Sequence, residues 1–253
     1  MLDISPMFIA MLLGTGFIAG IINVMAGGGS NLTLPALMIM GLPADIANAT
    51  NRVGVFLQCL VGIKGFNHHG KLEKSDAGPI LVPTLLGAGV GAVCASYFPN
   101  SYLKPALLIT MVSMSLVILI KPSAVIPAIG EPHTELKRYS NAWWTLFFAG
   151  IYGGFVQAGV GFILLAALAG GLRYDLVRAN ALKLVCTAML TSIALGIFIW
   201  RGQVQWIPGL VLAAGTMAGA QIGVNLALSV SQNMMKWFLF IMTLFASAAA
   251  LWF

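Results

Sequence analysis

The chain has 253 residues, 59% hydrophobic and only 8% charged, with a mean hydropathy of +0.95 and a formal net charge of +6. A soluble domain carries about 25% charged residues, so thirteen basic and seven acidic side chains cannot clothe a water-facing surface of this size. Most of the surface must face lipid, and the positive balance belongs to cytoplasmic loops rather than to nucleic acid, for which there is no basic, aromatic-rich face.

The opening MLDISP is acidic and lacks the basic start of a signal peptide, so it reads as mature sequence. A membrane helix needs about 20 mainly apolar residues. Apolar runs of this kind occupy 7–26, 46–66, 77–97, 102–120, 142–158, 176–199, 205–228 and 235–252. Two shorter runs, 31–42 and 161–172, each follow a glycine-containing break. At a rise of about 1.5 Å per residue they reach about 18 Å, half a bilayer. The expected fold is an all-α polytopic bundle.

The first break, NVMAGGGSNLTLP, sets polar side chains and three glycines between two apolar runs. A chain turn at membrane depth leaves N–H and C=O groups that lipid cannot satisfy, and it survives only inside protein or beside a watery cavity. Gly27, Gly28 and Gly29 permit a tight turn. Ser30, Asn31 or Thr33 would cap the half-helix that follows, with Pro35 tolerated in its first turn. The free N–H groups and the positive helix end then form a site for an anion. Gln157, Gly159 and Gly161 make a counterpart in the second break.

The two halves resemble each other. Laying AGIINVMAGGGSNLTLPALMIMGLPADIANATNR over AGIYGGFVQAGVGFILLAALAGGLRYDLVRANALK pairs Ala19 with Ala149, Gly20 with Gly150, Ile21 with Ile151 and Gly29 with Gly159. Gly41 then meets Gly171, Leu42 meets Leu172 and Asp45 meets Asp175. Weak internal symmetry with an interrupted segment at the same place in each half marks secondary transporters. The expected organisation is a first repeat over 1–120, a linker loop over 121–141 and a second repeat over 142–253.

If each interrupted segment is a hairpin returning to its own side, the halves are inverted. One side then holds Lys64, Lys71, Lys74, Lys121, Lys137, Arg138, Arg173, Arg178 and Lys236, the other only Lys104 and Arg201. That asymmetry places both termini outside the cytoplasm. Run 7–26 is also long enough to span completely, which would make the halves parallel; inversion is the favoured reading. In the linker, Glu131, His133 and Glu135 have no spacing that fixes a metal, so it reads as a solvated loop. Trp143, Trp144, Trp200 and Trp206 lie at segment ends, as an aromatic belt requires. Cys59, Cys94 and Cys186 lack ligand spacing and read as small core hydrophobes.

Arg52 and Lys183 stand about two turns into apolar helices, after GLPAD and GLRYD. Charges at such depth face a pathway or a partner, unless their long stems snorkel to the interface. No acidic residue lies deep within any segment, which makes an anionic substrate the expected counter-charge. Asn51 and Gln58 share one helix face, and Asn180, Lys183 and Thr187 share another. Asp45 and Asp175 suit the starts of their helices. Gly87, Gly91 and Ala95, and Gly215, Gly219 and Gly223, are spaced for close helix packing. A Walker A loop, a Ser/His/Asp set, a zinc-binding helix and a dinucleotide fingerprint are all missing, so neither ATP hydrolysis nor membrane-enzyme chemistry is expected.

Together AGGGSNLTLPAL, GLPADIANATNRV, GFVQAGVGFILLAAL and RANALKL resemble the TauE/SafE family of sulfite and organosulfur transport proteins, over nearly the whole chain. The family motif often has glycine before the triple glycine, where Ala26 stands here. The resemblance implies a permease of the inner membrane for a small anion such as sulfite, sulfoacetate or a related sulfonate, with small carboxylates as the alternative.

The expected site therefore comprises Gly28, Gly29, Ser30, Asn31, Thr33, Asn51, Arg52, Gln58, Gln157, Gly159, Gly161, Asn180, Lys183 and Thr187. No catalytic residue, metal or cofactor is expected. The partners are the anion and the bilayer; a proton or sodium ion as coupling ion, and a homodimer as assembly, stay open. An anion channel is the rival reading, but polar clusters at one depth with long apolar stretches beyond favour an occluding carrier.

Overall fold

The computed structural model describes residues 5–72, 74–99, 101–107, 109–110, 113, 136, 140–230, 234 and 237. Most of the linker, with Glu131, His133 and Glu135, the later part of run 102–120 and nearly all of run 235–252 lie outside them. The regular structure among the described residues is all helical, with no strand.

The first half begins with α1 (Pro6–Met25), α2 (Ser30–Ile39), α3 (Ala44–His68) and α4 (Lys74–Tyr97), followed by a helical stretch at 101–107. The second holds α5 (Asn141–Phe155), α6 (Val160–Leu165) with a wider π turn over Ala166–Gly171, α7 (Leu176–Trp200) and α8 (Trp206–Ser229). Local chemistry sets several starts. Ser5 and Ser140 cap α1 and α5 through Phe8 N and Trp143 N, and Pro6 occupies a first-turn position that needs no N–H. Asp175 caps α7, accepting from Val177 N at 3.0 Å and Arg178 N at 3.1 Å. Asp45 lies in the first turn of α3, as its charge favours.

Among the described residues five helices, α1, α3, α4 (over Ala77–Tyr97), α7 and α8, are long and apolar enough to cross a membrane. Their packing is exchanged between the halves. α1 lies along α8, and α5 lies along α4, while α3 packs on α7 and α8 and α7 packs on α3 and α4. Small residues allow this. A Cβ on Gly16 or Gly20 would run into the α8 backbone at Leu212 and Thr216, and one on Gly215 or Gly219 into α1 at Leu13 and Phe17. Gly87 and Gly91 similarly admit the α5 backbone at Phe147 and Ile151. Backbones this close gain dispersion contacts, the attraction that remains between helices when lipid is as apolar as leucine.

Two expectations change. Cys94 is exposed on the outer side of α4, whereas Cys59 and Cys186 are buried; in lipid a small apolar side chain gains nothing by facing inward. Pro35 lies past the first turn, inside α2, where it removes the N–H that would bond Asn31 O. Helix α3 continues to His68, with His69 as its cap.

Candidate functional site

Helix α1 stops because Gly27 turns the chain at φ 98°, and α2 begins three residues later. None of the side chains expected to cap α2 does so: its cap is Gly29, and no side-chain oxygen meets its first N–H groups. The backbone N–H groups of Gly28, Gly29 and Ser30, all buried, have no acceptor among the described residues. Ser30 and Thr33 turn instead to α3. Thr33 Oγ1 donates to Asn51 Oδ1 at 2.6 Å, and Asn51 Nδ2 donates to Ser30 Oγ at 3.1 Å. These bonds fix α2 to α3 and leave the start of α2 as an electropositive end inside the protein.

The second break is built differently. Gln157 holds φ 69°, and Gly159 follows at φ 76°. A left-handed glutamine costs of order 1–3 kcal/mol and needs support from its surroundings. Tyr152 Oη supplies part of it by donating to Ala158 O at 2.6 Å. Arg52 Nη1 and Thr191 Oγ1 supply more, donating to Gln157 Oε1 at 2.6 and 3.2 Å.

The two breaks touch. A Cβ on Gly27 would overlap the backbone of Gly161, one on Gly161 would overlap Gly27, and one on Gly28 would strike the Phe162 ring. Only bare backbone fits where the interruptions meet.

Arg52 and Lys183 lie beside this junction, 0% and 1% exposed. Both are fully inside the bundle, so neither snorkels. Arg52 Nη1 donates to Gly153 O at 3.0 Å, and Nη2 donates to Gly154 O at 2.6 Å, at the end of α5. Its guanidinium also lies 5.0 Å from the centre of the Phe198 ring. Lys183 Nζ donates to Asn23 O at 2.8 Å and Val24 O at 2.9 Å, at the end of α1, and to Asn180 Oδ1 at 2.7 Å. The carbonyls engaged are those a helix end leaves without an intrahelical partner. Cations there also oppose the negative end of the helix dipole. The counter-charge in this conformation is thus a pair of helix ends. An ammonium has three N–H donors, and three oxygens surround Nζ, so Lys183 is saturated. Arg52 keeps its Nε–H unpaired.

Every expected site residue is buried. Direct contacts join Ser30 and Thr33 to Asn51, Arg52 to Gln157, and Asn180 to Lys183. Gln58 Nε2 and Asn31 Oδ1 are buried without a hydrogen bond, and Thr187 is buried with none among the described residues. Gln58 lies two turns beyond Asn51 on the same face of α3. Since Asn51 meets the first residues of α2, that spacing sets Gln58 off the free end of α2.

Two polar side chains of this junction escaped the sequence reading. Asn48 Nδ2 donates to Phe155 O at 2.8 Å, and Thr191 reaches Gln157 as described. Helical spacing gave a signal for both: Asn48 lies one turn before Arg52, and Thr191 one turn after Thr187. Among the described residues, no group of three or more His, Cys, Asp or Glu side chains is placed to hold a metal.

Comparison with known proteins gives this architecture a context. Residues 12–250 match the family described as Sulfite exporter TauE/SafE. A "Probable membrane transporter protein" of Haemophilus influenzae is 28% identical over 252 residues, spanning 98% of this chain and 96% of that protein. The "Probable membrane transporter protein YfcA" of Escherichia coli K12 is 27% identical, over 98% of this chain and 91% of its own. "Probable membrane transporter protein ORF9" of a Sinorhizobium species is 25% identical over 93% of this chain and 89% of its own. With five apolar spans and matches over nearly its full length, the chain is a multi-pass membrane protein of permease type, and it belongs to the TauE/SafE sulfite exporter family.

Proposed function

We propose that the protein is a secondary transporter of the inner membrane that moves a small oxyanion, sulfite or an organosulfonate such as sulfoacetate, by alternating access. The observation that carries this reading is the buried start of α2. Three N–H groups without acceptors among the described residues lie at the positive end of a half-helix, and Gln58 Nε2, two turns beyond Asn51 on the same face of α3, is also buried without a partner. Buried donors without acceptors are costly and rare in proteins. An oxyanion offers several acceptor oxygens and the charge that suits the helix end. Arg52 Nε adds an unpaired donor at the neighbouring break.

The organisation proposed is two inverted repeats joined by the linker. Its support is the exchange of partners, in which the first labelled helix of each half packs on the fourth of the other, α1 on α8 and α5 on α4. Rocking of one helix set against the other would then expose the junction alternately to the two sides. Burial of the whole polar cluster favours such a carrier over a channel, which needs a continuous wet path.

The test is uptake into vesicles containing the purified protein, comparing sulfite, sulfoacetate, taurine and a small carboxylate, with and without proton and sodium gradients. Saturable flux of a sulfur oxyanion is expected, competed weakly by the carboxylate. Flux that rises linearly with concentration, or selectivity for the carboxylate, would overturn the mechanism or the substrate class respectively.

A further inference from the structure

The two buried cations form a matched pair. Arg52, on α3 of the first half, holds the carbonyls of Gly153 and Gly154 in the second; Lys183, on α7 of the second half, holds those of Asn23 and Val24 in the first. The carbonyl positions correspond one to one: the offset of 130 that aligns Ala19 with Ala149 also aligns Asn23 with Gly153 and Val24 with Gly154. The neighbouring carbonyl of Phe155 is taken as well, by Asn48 Nδ2.

In transporters with discontinuous helices, half-helix C-terminal ends and unwound carbonyls are where a sodium ion or proton is coordinated. Here those oxygens already face a cation belonging to the chain itself. We infer that Arg52 and Lys183 are resident replacements for a coupling sodium ion, each filling the carbonyl cage at the end of the other half's broken helix, and that transport is consequently independent of sodium. The inference deepens the transport reading above and rests on it for the word coupling, but the occupancy of the cages can be measured with no anion present.

Three geometric facts support it. All three Nζ donors of Lys183 are directed at oxygens, two of them carbonyls of α1. Arg52 spans consecutive carbonyls with separate Nη atoms, as a planar fork can and a spherical ion need not. Neither cation meets a carboxylate among the described residues, where the helix-end carbonyls and the amide oxygens of Gln157 and Asn180 are what faces them. Each clamp ties one half to the other across the point where Gly27 and Gly161 touch. Arg52 and Lys183 are therefore positioning residues, which hold the breaks in register and reach the anion chiefly through their field.

The experiment is chemical rescue of the purified full-length protein in detergent, read as the thermal unfolding midpoint. The unaltered protein should unfold at the same midpoint in sodium chloride and in N-methylglucamine chloride of equal strength. Arg52→Ala and Lys183→Ala should unfold lower. Low-millimolar guanidinium should raise the midpoint of Arg52→Ala alone, and methylammonium or sodium that of Lys183→Ala alone, because a ligand bound only by the folded state stabilises it by mass action. Sulfite binding measured in parallel separates the two proposals: loss of binding in the unaltered protein sinks the transport reading and leaves the rescue result standing. Saturable stabilisation of the unaltered protein by sodium would overturn the inference, as would alanine variants that are as stable as the parent or indifferent to added cations. If neither alanine variant accumulates, the sodium comparison on the unaltered protein decides alone.

Discussion

The contact between the two breaks gives the sharpest test of the architecture, because one methyl group perturbs it. Gly161→Ala would place a Cβ against the Cα and carbonyl of Gly27, backbone atoms with no flexible end to swing aside. Overpacking of this kind costs about 1–3 kcal/mol. Gly27→Ala meets Gly161 in the same way and must also hold φ 98°, so a left-handed cost is added to the clash, for a total of about 2–5 kcal/mol. Gly14→Ala and Gly196→Ala are the controls. Neither Cβ would meet another atom within 4 Å, and both positions are helical. There alanine should be neutral or stabilising by about 0.5–1 kcal/mol. Each variant would be unfolded reversibly in mixed micelles and its uptake measured in vesicles. The double variant Gly27→Ala/Gly161→Ala should cost less than the sum of the singles by about 0.5 kcal/mol or more, since the first methyl opens the gap that the second then uses. Gly161→Ala matching Gly14→Ala in stability and uptake would refute the claim that the interruptions touch.

Two further outcomes follow from the hydrogen bonds. Gln157→Gly relieves the left-handed strain but removes the acceptor of Arg52 and Thr191, whereas Gln157→Ala removes the acceptor and keeps the strain. The alanine variant should therefore be the less stable by about 1–2 kcal/mol, with both losing uptake; equal stability would show that the backbone there is unstrained. Asn51→Ala leaves Ser30 Oγ and Thr33 Oγ1 without their shared partner, at about 1–3 kcal/mol, and should weaken anion affinity by loosening the start of α2. Asn51→Asp, which can still accept from Thr33 but sets a negative charge beside the same helix end, should fold and lose affinity further; unchanged affinity in a binding titration would place the anion elsewhere.

The boundaries of the five described spans were legible because lipid demands long apolar runs, and both breaks because glycines and amides interrupt them. Asp175 was legible as an acid suited to the start of its helix, but that it stands before the first turn and caps it was not. Gly215 and Gly219 could be assigned to packing since their spacing returns them to one face. The partners of Arg52 and Lys183 were not legible. Spacing shows which residues share a face, and it does not say what that face meets. In a bundle whose core and lipid-facing sides are both apolar, hydrophobic patterning gives little to orient the helices. The carbonyls of Asn23, Val24, Gly153 and Gly154 carry no signature at all, because any residue type supplies the same oxygen. Pro35 went astray for a related reason: the start of α2 is set by the Gly27 turn, and no side-chain cap marks the register.

The absence of deep carboxylates first suggested a site left positive for its substrate. The hydrogen bonds divide that positive charge in two. Lys183 is spent on α1, and most of Arg52 on α5, so the cations act first as struts between the halves. The donors still without acceptors among the described residues are the first N–H groups of α2, Gln58 Nε2 and Arg52 Nε. In the proposed site most of these donors are neutral, with Lys183 one step behind, so an oxyanion would be held with at most one direct ion pair, to Arg52. Such an arrangement favours release as well as capture, which a carrier needs and a high-affinity binding protein does not. Under the proposed mechanism it would also couple occupancy to shape, because an anion that draws Arg52 toward itself must loosen its hold on Gly153 and Gly154, one of the ties between the two halves.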